Sequence, residues 1–81
     1  MVRPTPQAAR TYRALAVATA SLSVNDLALL TGNTKRGIRK HIRAFGAAVV
    51  PNDSVIRPAR FRLITRIEAF ERAVSELEAV E

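Results

Sequence analysis

The chain has 81 residues, with 13 Lys or Arg, 7 Asp or Glu, one His and no Cys. That length accommodates a single domain, whose core contributes only roughly 3–5 kcal/mol net at this size. Lack of Cys excludes a disulfide framework and fits a reducing compartment, and no apolar run approaches the ~18 residues of a membrane span.

The net charge of +6 is unevenly spread. Residues 1–66 carry twelve Lys or Arg against Asp26 and Asp53, or +10, while residues 67–81 carry Arg72 against five Glu, or −4. A basic body with an acidic tail implies a polyanionic partner for the body. Arg outnumbers Lys eleven to two. A guanidinium fork suits phosphates and guanine edges, but a GC-rich genome gives the same skew, so little rests on it. Arg3, Arg10 and Arg13 precede an Ala-rich stretch, yet the Thr and Ser within that stretch make a poor signal core. No cleaved leader is expected, and the expected location is cytoplasmic, at the nucleoid.

Four helices and one hairpin follow from caps and periodicity. Thr5 before Pro6 is an N-cap with Pro at the first helical position, opening helix 1, which runs to about Thr19 or Ala20. Its stripe is Ala8, Tyr12, Leu15, Ala16 and Thr19. Ser23 and Asp26 make a capping-box-like pair at the start of helix 2, with Leu22 and Leu27 as a hydrophobic staple. Gly32 ends that helix in a left-handed conformation. Helix 3 begins at a cap read as Thr34 or Asn33 and ends at Gly46. Ile38, Ile42 and Phe45 form its inner stripe, with His41 at the margin, and Arg36, Arg39, Lys40 and Arg43 lie opposite with no acid among them.

Ala47 to Val50 reads as a strand and Pro51-Asn52-Asp53-Ser54 as a turn. Arg60-Phe61-Arg62-Leu63 alternates as the return strand, and Pro58, which cannot donate to a ladder, either breaks that strand's early part or sits on an edge. Val55 and Ile56 near the turn are expected to pack back on the domain. Thr65 and Glu68 read as a capping box for helix 4. Leu63, Ile67, Phe70, Val74 and Leu77 step by four, three, four and three, a heptad-like seam.

Two short helices joined by a Gly-containing turn, the second with a basic outer face, are the parts of a helix-turn-helix. The stretch DLALLTGNTKRGIRKHIRAF, Asp26 to Phe45, resembles that motif in the ArsR, MarR and IclR families of bacterial winged-helix regulators. The resemblance is carried by Asp26-Leu27-Ala28, Thr31-Gly32, Thr34, and Ile38, His41, Ile42 and Phe45. It extends to Ala47-Ala48-Val49-Val50 and Arg60 to Thr65, where such families have their wing strands. Asn33 departs from the pattern, which has an apolar residue there to pack the turn. Gly37 departs too, since glycine inside a helix costs about 1 kcal/mol against Ala.

The resemblance implies a mainly α protein with a small β-hairpin (α+β). It would be a winged helix-turn-helix over residues 1–64 with an extra C-terminal helix over 65–81. The implied activity is sequence-specific binding of double-stranded DNA, as a transcriptional regulator of a prokaryote or phage. Helix 3, about 35–45, would enter the major groove through Thr34, Lys35, Arg36, Arg39, Lys40 and Arg43. The wing, about 51–60, would bring Arg57, Arg60 and Arg62 to the flanking backbone or minor groove. The seam Ile67, Phe70, Val74 and Leu77 either packs on helix 1 or pairs with its twin in a homodimer, and the second arrangement is the expected one. The alternative function is a winged-helix interaction or assembly module (replication, packaging or an antitoxin-type adaptor) with weak DNA binding.

His41 is the sole His and has no Cys beside it, so it is read as a half-buried packing residue rather than a zinc ligand. No catalytic group, cofactor, membrane contact or small-molecule effector domain is expected, and the chain is not read as an enzyme.

Overall fold

The structure, a computed structural model, describes residues 4–51 and 59–80. The chain runs α1 (Pro6–Val17), β1 (Leu22–Ser23), α2 (Val24–Thr31), α3 (Lys35–Phe45), a single 3₁₀ turn (Gly46–Ala48), β2 (Val49–Pro51), β3 (Arg60–Leu63) and α4 (Glu68–Val80). It is a mainly helical α+β architecture with one small antiparallel sheet, strand order β1-β3-β2. No helix among the described residues is long and apolar enough to cross a membrane.

The caps read from the sequence account for most helix ends. Thr5 accepts from the Ala8 amide at 3.2 Å with Pro6 in the first turn. Both arms of the Ser23–Asp26 box are made, each at 3.1 Å. Gly32 takes φ 75° and donates its N–H to the Ala28 carbonyl at 2.9 Å, closing α2. A side chain there would cost about 1–2 kcal/mol of left-handed strain.

Four expectations need correction. Helix α1 stops at Val17, because Ala18 turns extended. Thr19 falls beyond the helix, Ala16 lies on its exposed side, and the inner stripe is instead Ala8, Ala9, Thr11, Tyr12 and Leu15. The strand read at Ala47–Val50 is displaced, since Gly46–Ala48 first makes a 3₁₀ turn. Pro51 belongs to β2, paired with Phe61, and not to a turn. Its missing N–H is harmless on an edge strand. Leu22–Ser23, read only as cap and staple, is also a strand, pairing with Phe61 and Arg60.

The fourth correction concerns α4, which begins at Glu68 rather than after a Thr65 cap. Its first turn is anchored by the Ile67 carbonyl, which accepts from the Phe70 and Glu71 amides at 3.0 Å. The Ile67 N–H donates to the buried Tyr12 hydroxyl at 3.1 Å. A side chain 55 residues away thus supplies what a local cap would have supplied. The Asn52–Ser54 part of the expected turn, Val55, Ile56 and Pro58 lie outside the described residues.

One core receives side chains from every helix: Ala8, Tyr12 and Leu15 of α1, Leu27 of α2, Ile38 and Phe45 of α3, Val49 of β2 and Phe70 of α4. Three of the four aromatic residues meet at its centre. Phe45 and Phe70 are edge to face with centroids 4.9 Å apart, and Tyr12 stacks on Phe70 at 5.7 Å. Such pairs contribute about 0.5–1.5 kcal/mol each beyond area burial. Ile67, Phe70 and Val74 of the expected seam are taken up within the chain, packed against this cluster. Leu77 lines an open groove of about 610 Å³ with Val17 and Leu30.

Candidate nucleic-acid interface

The site is the outer face of α3. Thr34 caps the helix, its hydroxyl accepting from the Gly37 N–H at 3.0 Å, and the Thr34 carbonyl accepts from the Ile38 N–H at 2.9 Å. At the far end Gly46, with φ 60°, donates back to the Arg43 and Ile42 carbonyls. Between these caps Ile38 and Phe45 are buried and Ile42 half-buried, fixing one side of the helix against the core.

That orientation decides where the charges go. Lys35, Arg36, Arg39, Lys40 and Arg43 are all exposed. No ion pair involves any of them among the described residues; the three present join Arg13 to Glu78, Arg66 to Glu71 and Arg72 to Glu68. No acid occupies the first turn of α3. Lys35 and Arg36 therefore sit at the positive end of the helix dipole, where cations each cost a few tenths of a kcal/mol. The sequence tolerates a local penalty that an anion at that end would reverse.

Gly37 has a structural neighbour. A Cβ built there would lie 3.2 Å from the Thr34 hydroxyl, pressing on the cap itself. The glycine protects the cap at a cost in helix propensity of about 1 kcal/mol.

The turn before α3 is held by hydrogen bonds the sequence did not announce. Thr31 donates its hydroxyl proton to the Leu27 carbonyl and accepts from the Asn33 N–H at 3.2 Å. Asn33 Nδ2 donates to the Gln7 carbonyl at 3.1 Å and to Thr11 Oγ1 at 3.2 Å. Thr11, fully buried, also lies 2.8 Å from His41 Nδ1. His41 is half-buried, as expected of a packing residue, but its contact is polar. Burial, and then the neighbouring Lys40 charge, hold its pKa below the ordinary 6.5. The one signal for this network was Asn33 itself, a polar residue where an apolar one packs the turn. Thr11, on the inner stripe of α1, carries no such signal in the sequence.

The hairpin arginines are placed differently. Arg57 lies outside the described residues. Arg60 and Arg62 are exposed on the same side of β3, alternating with half-buried Phe61 and Leu63. Arg60 Nη1 donates to the Ser21 carbonyl at 3.4 Å, and its charge lies near enough to Asp26 to help lower that carboxyl's pKa. The larger causes there are the hydrogen bonds from Ser23. Arg62 borders a shallow cleft with Ala18, Thr19, Ala20 and Ser21. Both side chains therefore sit beside the α1–β1 connection, and Arg60 already has a structural contact. Comparison with known protein families, characterised proteins and solved structures finds no match for this chain.

Proposed function

We propose that this chain is a sequence-specific double-stranded DNA-binding protein of the winged-helix kind, acting as a small transcriptional regulator of a prokaryote or phage. One observation carries the reading: five exposed cations on the outer face of α3, without an acid partner among the described residues, directly after the Gly32 turn. A solvated face usually intersperses both signs; this one does not. The order helix, short strand, helix, turn, helix, hairpin, with β1 joined to the hairpin, also suits a winged helix. In this reading α3 enters the major groove, where Arg39 and Arg43 reach guanine edges or phosphates. Lys35 and Arg36 take a phosphate at the helix start. Arg62 lies beside the flanking backbone, and Arg60 contributes field more than contact.

The test is duplex affinity against salt. Arg39→Ala and Lys40→Ala each weaken binding about tenfold and reduce the salt slope by about one, with unchanged far-UV circular dichroism and melting temperature. Wild-type-like affinity of both variants at moderate salt sinks the reading.

A second reading, an interaction or assembly module with weak DNA binding, rests on Val17 and Leu30, apolar side chains 70% and 66% exposed that line one open groove. Contiguous exposed apolar surface marks partner sites. Titration against random duplex and genomic fragments separates the two, because a specific regulator shows a preference of at least about a thousandfold.

A further inference from the structure

The inner side of α3 meets the core through Ile38, Ile42 and Phe45. Apolar contacts are non-directional; they set which side of the helix faces the core, and directional hydrogen bonds add the finer constraint on its rotation about its own axis. Rotation matters for a groove reader. At a radius of ~6 Å, a turn of 10° moves a side-chain base by about 1 Å, beyond the ~0.5 Å tolerance of a pre-organised site.

Side-chain hydrogen bonds joining α1 to α3 and its lead-in converge on Thr11 Oγ1, with the adjacent Gln7 carbonyl taking a second bond from Asn33 at 3.1 Å. Thr11 Oγ1 lies 2.8 Å from His41 Nδ1 and 3.2 Å from Asn33 Nδ2, and it donates to the Gln7 carbonyl at 3.2 Å. A hydroxyl offers one donor and two acceptor sites. With its proton on Gln7, it accepts from Asn33 and from His41 Nδ1–H, and its capacity is filled. Asn33 precedes the Thr34 cap, and His41 lies well inside the helix. Two points along the α3 segment are thus pinned to one buried point on α1. Burial of Thr11 excludes water as a substitute partner and makes the bonds costly to leave unmade.

We propose that Thr11, Asn33 and His41 form a polar clasp that sets the axial rotation of α3, so that these positioning residues determine which duplex sequence is preferred without adding affinity for DNA in general. The inference rests on the DNA-binding reading above, and it assigns selectivity to residues on the side of α3 away from the cations.

The experiment begins with duplexes recovered by the wild-type protein from a random pool. Affinities for a recovered duplex and a scrambled one are then measured for Thr11→Val, Asn33→Ala and Thr11→Ser across a salt series, well below each melting temperature. Thr11→Val and Asn33→Ala should lower the preference for the recovered duplex about tenfold, the worth of one well-formed base contact. Affinity for scrambled duplex and its salt slope should stay at wild-type values, because no cation has changed. Thr11→Ser, which keeps the hydroxyl, should restore the preference. A role in stability alone lowers the melting temperature and leaves the preference intact, and that result in folded variants overturns the clasp while the DNA reading stands. Should Thr11→Val fail to fold, Asn33→Ala, at the partly exposed turn, decides by itself. If the wild-type protein recovers no preferred duplex, the DNA-binding reading fails and the clasp fails with it.

Discussion

Helices α3 and α4 are similar in length and both amphipathic, yet they settle their charges in opposite ways. Three acids of α4 are paired: Glu78 with Arg13 of α1, Glu71 with Arg66, and Glu68 with Arg72 one turn on. The five cations of α3 have no such partners among the described residues. Their inner faces differ too. The α4 helix sends Phe70 into the aromatic centre of the core, whereas α3 adds to its apolar stripe a set of directional hydrogen bonds through His41 and the Asn33 turn. Of the four acids on α4, only Glu76 lacks an ion-pair partner among the described residues. Helix α3 is hydrogen-bonded to α1 on one side and carries exposed cations without ion pairs on the other, the contrast the DNA-binding reading predicts.

The strongest way to break this comparison is to remove the centre of α4. Phe70 is 4% exposed, and Phe→Ala at such a site costs about 3–5 kcal/mol, comparable with the whole net stability of a core this small. Phe70→Ala should lower the melting temperature by at least about 12 °C, at roughly 4–8 °C per kcal/mol for a domain of this size, or abolish cooperative melting altogether. A melt shifted by only a few degrees would show that α4 is an appendage to a separately stable unit.

The reach of sequence reasoning follows the same division. Caps made by neighbours were legible: Thr5, Ser23 with Asp26, Gly32, Thr34 and Gly46 each act within a few residues of the chain. The basic face of α3 was legible for the same reason, since it follows from helical period and local spacing alone. Contacts between distant segments were not. The Tyr12 hydroxyl replaces a local cap at α4, and a two-residue strand at Leu22 has no periodicity to detect. The clasp joins positions 7, 11, 33 and 41, and only the odd polar residue at Asn33 hinted at it. The seam of α4 was visible as a seam, but its period carries no information about whose side chains cover it.

A smaller effect is expected from pH, and it probes the held side of α3. Burial and Lys40 lower the His41 pKa in the folded chain below its ordinary 6.5. The unfolded chain therefore binds more protons as pH falls, so stability from the neutral ring is fully present above about pH 6.5 and is lost as pH drops through the folded value. With a single His in the chain, this is the main side-chain titration between pH 7.5 and 5.5. Melting temperature should fall over that interval in the wild type and fall less in His41→Gln. Equal slopes would remove His41 from the account of how α3 is held.

The smallest effect sharpens the comparison from the α4 side. Arg13 and Glu78 meet at 3.1 Å, but their side chains are 54% and 53% exposed, and water screens such a pair to about 0.2–1 kcal/mol. Glu78→Gln should therefore change the melting temperature by only a few degrees. It also removes one negative charge and frees Arg13 from its partner. If pairing on α4 serves to keep uncommitted positive charge off the α1–α4 side of the molecule, the variant should bind scrambled duplex more tightly while its preference for a selected duplex declines, since a freed Arg13 attracts any phosphate backbone without reading bases. Unchanged affinity for scrambled duplex would mean that the acids of α4 neutralise charge without directing it, and the contrast between the two helices would then be one of stability alone.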